Sequence, residues 1–236
     1  MALDEAMLIL RAVNAIGDTL RLYVFKPSAV TIGYFQSVRN SVNEEFVRRE
    51  GIPLVRRPTG GGAVYHDELG EITYSIVTSI EAVPKDYVES FKYLSQGVIN
   101  AAMILGAPAM FVPLNDGVIA GRKFSGQAQL RRLGVVLQHG TFMYASDIEK
   151  LARVLLPPSI KLKEKGLSSL KERVITISQY LGRKVSKEEA LEAMIKGFSK
   201  ALNAELVNDE LTDAEVVLAK SLRWKYASKA WTYLRP

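Results

Sequence analysis

Two short segments of this chain concentrate residue types that hold and neutralise anions. The first, Arg56-Arg57-Pro58-Thr59-Gly60-Gly61-Gly62-Ala63-Val64-Tyr65-His66-Asp67, joins a basic pair to three successive glycines and a histidine. Glycine loses more backbone freedom on folding than any other residue, so a triple glycine needs a compensating reason. That reason is a φ > 0 path, or an approach so close that a ligand would collide with a Cβ, with N–H groups turned toward an anion. A guanidinium fork beside such a loop suits phosphate or carboxylate. The plain alternative is a glycine-rich hairpin turn with two solvated arginines. The second segment comprises Asn115-Asp116-Gly117, Gly121-Arg122-Lys123-Phe124-Ser125-Gly126-Gln127-Ala128-Gln129 and Gln138-His139-Gly140-Thr141. It adds a carboxylate, an ammonium and the second of the chain's two histidines. Two histidines without cysteine make a poor zinc site, because catalytic zinc usually takes three protein ligands. Each residue also has a simpler reading: Lys123 as an exposed turn lysine, Asn115 and Asp116 as turn formers, His66 and His139 as half-buried core residues.

The elements that must carry these segments follow from periodicity and caps. Leu3, Ala6, Met7, Leu10 and Val13 predict an amphipathic helix over 3–16. Strands are expected at Leu20 to Phe25 and Ala29 to Gly33, and a short helix capped by Asn43 runs to Glu50. The glycine loop lies between strands at Leu54 to Arg56 and Val64-Tyr65, and Glu71 to Val77 gives another strand. A long helix over 86–105 ends at Gly106 and Pro108, and β-structure runs from Phe111 to Tyr144. Beyond it the pattern is helical: Asp147 to Leu155, Ser169 to Leu181, Ser186 to Leu202 with a Ser186/Glu189 capping box, and Thr212 to Tyr226. Strands with packed helices, then helices, predict one α+β domain over 1–236.

Composition narrows the chemistry. With 48% apolar and 24% charged residues in 236, the chain is an ordinary globular sequence, with no apolar run of membrane-spanning length. Its net charge of +6 is spread among 25 acidic residues and carries no nucleic-acid-binding pattern. A moderate positive field suits an anionic ligand such as ATP, or an acidic acceptor protein. The acidic Met1-Ala2-Leu3-Asp4-Glu5 start is unlike a signal peptide and points to the cytoplasm. Cysteine is absent, which removes disulfides, thiolate metal sites and cysteine nucleophiles.

In order and spacing the two segments closely resemble the lipoate–protein ligase family, whose members carry an Arg-Arg-x-Ser-Gly-Gly-Gly-Ala-Val-Tyr-His-Asp-like loop, an Asn-Asp, a Gly-Arg-Lys-x-Ser-Gly and a His-His-Gly-like strand. The resemblance runs from Leu3-Asp4-Glu5-Ala6 to Lys225-Tyr226-Ala227-Ser228 and Trp231. It implies mixed and antiparallel sheets flanked by helices, a biotin/lipoate ligase fold related to class II aminoacyl-tRNA synthetases. It implies an ATP-dependent, AMP-forming ligase that activates lipoate or octanoate as an acyl-adenylate. The acyl group would pass to a lysine of lipoyl-domain proteins, either 2-oxoacid dehydrogenase E2 subunits or a glycine-cleavage H-type protein. By resemblance Lys123 is catalytic and contacts both the acid and the phosphate. Nucleotide binding falls on Arg57, Gly62, Ala63, Val64, Tyr65, Asp116 and Lys123, and lipoate binding on Arg57, Thr59, His66, Lys123 and His139. Gly60 and Gly61 shape the loop, and Asp116 would hold Mg²⁺. Larger ligases carry an additional carboxy-terminal domain, so similarity to split-type members implies a separate accessory polypeptide.

Departures from the pattern matter as well. Gln138 stands where many members have a first histidine, and Arg131 and Arg132 follow Leu130 where some members place a ligand-contacting arginine. Three rival readings stand beside the ligase. An octanoyl or lipoyl transferase of the same fold needs no ATP but works through a cysteine thioester, a route closed here unless another nucleophile replaces it. Biotin ligases interrupt their glycine loop with arginines. A lipoate-binding protein would keep the pocket without turnover.

Overall fold

The computed structural model describes residues 1–156 and 170–235. In chain order its elements are α1 (Ala2–Ala12), β1 (Thr19–Tyr23), β2 (Ala29–Ile32), α2 (Glu44–Arg49), β3 (Leu54–Arg56), β4 (Val64–His66), β5 (Glu71–Ser79), α3 (Tyr87–Ile104), β6 (Ala109–Val112), β7 (Asp116–Ile119), β8 (Arg122–Arg132), β9 (Val135–Met143) and α4 (Ile148–Val154). The described carboxy-terminal residues form α5 (Ile177–Leu181), α6 (Lys187–Leu202), α7 (Asp213–Ala227) and α8 (Lys229–Thr232). Helix starts obey the cap rules: Asn43, Asp86, Asp147, Ser186 and Thr212 each accept from the N–H three residues on. The capping box at Ser186 and Glu189 is formed. The segment from Ser169 to Leu181 departs from the single helix expected of it. Ser169 lies outside the described residues, Leu170–Arg173 is a 3-10 turn, and Val174 bridges in parallel to Lys123. The β-branched run Val174-Ile175-Thr176-Ile177 favours extended backbone, and a Thr176/Gln179 capping box restarts the helix.

Two sheets result. The larger is antiparallel throughout, in the order β1-β5-β9-β8-β7-β6, and the smaller has the order β3-β2-β4, with β2 parallel to β3 and antiparallel to β4. Together with the flanking helices they give the α+β class expected. Strand β9 is buried at every position and decides how the layers stack. Its Val136 and Phe142, with Tyr74 and Ile76 of β5, meet α3 and α6 in the main core. The two helices approach closely because Gly97 faces Phe198; a Cβ on Gly97 would lie 2.1 Å from that ring. On the opposite face of the sheet, Val135 and Leu137 pack with Val77 under α1. Met143 packs with Val30, Ile32 and Tyr65 of the small sheet. Among the described residues no helix is long and apolar enough to cross a membrane.

Candidate functional site

Between its two apolar ends, this second face of β9 turns polar. His139 lies across the ladder from Ser75, and Thr141 from Thr73. Antiparallel partners share a face, and three of these four side chains, Thr73, His139 and Thr141, line a cavity bordered by the small sheet and β8. Ala63 and Val64 on one side and Ala128 on another add apolar wall, and Lys123 borders the opening.

Arg57 is the charged centre of this wall. It is buried, and all five of its N–H donors have partners: Nε on Thr59 Oγ1 (3.1 Å), Nη1 on Thr31 Oγ1 (3.2 Å) and Thr31 O (3.4 Å), and Nη2 on Gly60 O and Gly62 O (2.7 Å each). Every one of those partners is neutral. Burial pulls the guanidinium down to about 10, still charged at neutral pH. The glycine loop therefore turns carbonyls toward a cation, where an anion-facing row of N–H groups was expected. Gly61 follows the anticipated left-handed path at φ +89, and a Cβ there would sit 2.9 Å from Arg57 Nη2. Its neighbour Arg56 has a different task. Also buried, it donates to the carbonyls of Gly33, Tyr34 and Gln36 (2.7–3.0 Å) and of Trp231 and Thr232 (2.8–3.2 Å), stapling α8 to the small sheet.

Both histidines are bound on both ring nitrogens. His139 Nδ1 faces Asp4 Oδ2 at 3.2 Å and its Nε2 faces Thr59 Oγ1 at 2.7 Å. His66 Nδ1 faces Glu71 Oε2 at 3.0 Å and its Nε2 faces Thr31 Oγ1 at 3.0 Å. Burial holds His139 below the ordinary imidazole range despite the facing carboxylate. Burial alone would raise Asp4, but the Arg21 guanidinium and His139 hold it well below the carboxylate range. A carboxylate only accepts, so each Nδ1 is the donor.

Lys123 enters from the other side. The β7–β8 turn has Ala120 and Gly121 at positive φ, and a bulge at Gly117/Val118 shifts the register before β8. Lys123 is fixed there by its carbonyl, which accepts from Ile175 N at 2.9 Å, and its Nζ lies 2.6 Å from Asp116 Oδ1. The stem crosses the bare Cα of Gly126, where a Cβ would come 2.6 Å from both Cε and Nζ.

The structure thus gathers most of the residues singled out in the sequence. Arg57, Gly62, Ala63, Val64, His66, Lys123 and His139 line the cavity. Thr59 sits behind it between Arg57 and His139, Asp116 pairs with Lys123, and Gly60 and Gly61 form the loop. The Tyr65 side chain packs away in the small-sheet core. Gln138 faces α3, donating to Tyr74 Oη and Ser95 Oγ. Arg131 binds the carbonyls of Pro84 and Lys85, and Arg132 borders a separate groove outside the glycine loop. Sequence reasoning missed Asp4, Glu71, Thr31, Thr73 and Thr141. The signal was present for two of them: Asp4 shares the α1 stripe of Met7 and Leu8, and Thr73 lies with Glu71 and Ser75 on the polar face of a strand whose other face, Ile72, Tyr74 and Ile76, is apolar.

Comparison with known proteins agrees with this architecture and corrects the chemistry. The sequence profile of the lipoyl protein ligase A/B catalytic domain matches residues 1–199. A protein of Geobacillus kaustophilus named octanoyltransferase LipM is 37% identical, covering 100% of this chain and 93% of its own. The octanoyltransferase LipM of Brevibacillus brevis is 34% identical, covering 100% of this chain and 94% of its own. Among solved structures, a bi-partite lipoate protein ligase from Thermoplasma acidophilum, studied with its E2 lipoyl domain, superposes with a TM-score of 0.84 at 34% identity. That alignment covers 100% of this chain and 91% of the other. The named octanoyltransferases overturn the ATP-dependent, AMP-forming ligase expected above, and with it the ATP-binding and acyl-adenylate readings. The reason is chemical. Activating an acid and transferring an acyl group both need a cation at the acyl carbonyl and a shaped loop around the tail, so the shared motifs do not separate them.

Proposed function

The chain belongs to the lipoyl protein ligase A/B catalytic-domain family, and we propose that it moves an octanoyl-class acyl group from a carrier thioester to the lysine of a lipoyl-type domain, without ATP. The relatives' activity supports the reaction class, and the cavity supports the substrate. Tyr23 Oη and Gln127 Oε1, which also line the cavity, lack a partner among the described residues, but Arg57 has no free N–H and the histidines are bonded at both ring nitrogens, so these three groups are satisfied by their neighbours. They leave a wall that accepts an alkyl tail beside Ala63, Val64 and Ala128. Thr59, His66 and His139 serve that wall.

The observation that carries the proposal is Lys123, poised over Gly126 at the opening and paired with Asp116, the one partner of its ammonium among the described residues. An ammonium there meets the oxygen of a thioester carbonyl and stabilises the negative charge that develops on attack. The acceptor amine adds to the carbonyl carbon, the C–S bond breaks and the amide forms. Asp116 takes the proton from the new ammonium and returns it to the leaving thiolate. The chain has no cysteine to carry the acyl group as a thioester, so in this reading transfer is a single displacement, with donor and acceptor at the opening together and no acylated enzyme. The accessory polypeptide belonged to adenylate formation and is no part of this reading; the acceptor is a lipoyl domain.

The test is the intact mass of a lipoyl domain and of the enzyme after incubation with an octanoyl thioester of pantetheine or an acyl carrier, and separately with free octanoate, ATP and Mg²⁺. The expected result is an octanoyl gain on the acceptor from the thioester alone, with the enzyme's mass unchanged. Gain only from the free acid with ATP overturns the reading. No gain, with octanoate retained by the protein, makes it an acyl-binding protein.

A further inference from the structure

Arg57 receives two relays of the same composition. One runs from Asp4 to His139 to Thr59 and reaches Nε; the other runs from Glu71 to His66 to Thr31 and reaches Nη1. The two begin on different elements, α1 and β5, and end on one guanidinium. Their hydrogens have a single consistent direction. Each arginine N–H donates to a threonine oxygen, each threonine O–H donates to a histidine Nε2, and each histidine Nδ1–H donates to a carboxylate. Thr73 donates to Glu71 Oε1 at 2.6 Å, and Arg21 pairs with Asp4, so both carboxylates are themselves held in place. The remaining edge of the guanidinium, Nη2, grips the carbonyls of Gly60 and Gly62.

We propose that Asp4 and Glu71 are positioning residues: acting through His139–Thr59 and His66–Thr31, they fix the Arg57 guanidinium and thereby hold the Gly60 to Gly62 loop as a rigid wall of the cavity. That the cavity holds an acyl tail rests on the function proposed above; the mechanical coupling does not. A triple glycine has little conformational preference of its own, so its order depends on the group that binds its carbonyls. A guanidinium with one fixed edge can rotate, whereas one held at both Nε and Nη1 presents Nη2 in a single direction. Two relays therefore do what one would not.

The chain's two histidines make the relays directly observable, since only two imidazole spin systems exist. In the unaltered protein, ¹⁵N spectra should show both rings protonated at Nδ1, the reverse of the tautomer preferred by free neutral imidazole. Asp4→Asn should invert His139 alone and Glu71→Gln should invert His66 alone. Each should raise hydrogen exchange in the peptide spanning 57–64 by about tenfold or more while strand β9 stays protected. Thr59→Val and Thr31→Val cut the relays at their midpoints without touching a carboxylate. They should loosen the same peptide, and Thr59→Ser and Thr31→Ser should restore it. These variants carry the test if the buried carboxylate changes prevent folding. Unchanged exchange in 57–64 with a relay cut, or loosening that the serine variants do not restore, overturns the proposal. No readout here depends on turnover, so failure of the transfer assay would count against the acyl reading alone.

Discussion

Replacing Gly126 with alanine should separate folding from catalysis, because the added methyl meets the tip of Lys123 and little else. The new Cβ would lie 2.6 Å from both Cε and Nζ of Lys123. Carbon contacts settle near 3.5 Å, so the ammonium must retreat by about 0.9 Å. Displacing a reacting group on the scale of 1 Å costs roughly 100-fold in rate. The stability cost is small for three reasons. The obstructing atoms end a flexible side chain. Alanine in a strand is favoured over glycine by about 0.5–1 kcal/mol. The Lys123–Asp116 pair, with side chains 36% and 28% exposed, is worth under about 1 kcal/mol once solvent screening is counted. These contributions nearly cancel, and Tm should stay within about 4 °C. Single-turnover octanoyl transfer to a lipoyl domain, measured beside thermal unfolding, checks both halves. Lys123→Met should lose about 10²–10³-fold, and adding Gly126→Ala to it should lose nothing more, since the two changes act on one group. A Gly126→Ala enzyme with full activity, or one whose loss adds to that of Lys123→Met, refutes the role assigned to Lys123.

Three further outcomes follow from the packing and the buried charges. Arg56→Ala strands the carbonyls of Gly33, Tyr34, Gln36 and Thr232; urea unfolding should show a loss of at least about 2 kcal/mol, with proteolysis opening first near Trp231. Gly97→Ala drives a Cβ into Phe198 at 2.1 Å and should cost about 1–3 kcal/mol while leaving the KM of the folded fraction unchanged. Acid should destabilise the protein early. His139 is held below its ordinary value, so below about pH 6.5 the unfolded chain gains a proton that the native state refuses, and stability falls toward the lowered native value. Asp4, also lowered, adds a second loss as pH passes below about 3.9 toward its own native value. A Tm that is flat between pH 7 and pH 5 would contradict a neutral buried His139.

Much of this molecule was legible before any coordinates. Cap residues located the starts of α2 and α6, the ranges expected for α3, α4 and α7 began at their caps, and the glycine loop with its flanking strands lay where expected. The long β-region resolved into four strands: the turn near Gly134 was visible, the one expected at Asn115-Asp116-Gly117 ends at Asn115 because Asp116 opens β7, and the turn at Ala120-Gly121 was missed. What sequence could not supply was direction across space. Acidic residues in a first helical turn ordinarily face water and complement the helix dipole, which hid the fact that Asp4 and Glu5 point inward, Asp4 to Arg21 and His139 and Glu5 to Lys225 and Tyr226. The basic pair was equally opaque. Arg56 ends β3 and Arg57 follows it directly, and the two side chains face opposite ways, one to the carboxy-terminal helix and the other to the cavity. The shift from ligase to transferase lies beyond both sequence motif and fold, since it turns on which leaving group the acyl carbon carries.

The cavity is a space left over between two separate covers, the small sheet with its glycine loop and the β8 segment from Lys123 to Ala128, over one face of β9. Neither cover contains the whole pocket. Its length can therefore drift as β2, β4 or β8 change their side chains, while the strand that carries His139 and Thr141 stays as it is. Under the function proposed above, such a layout lets the acyl length that fits be retuned without redesigning the frame.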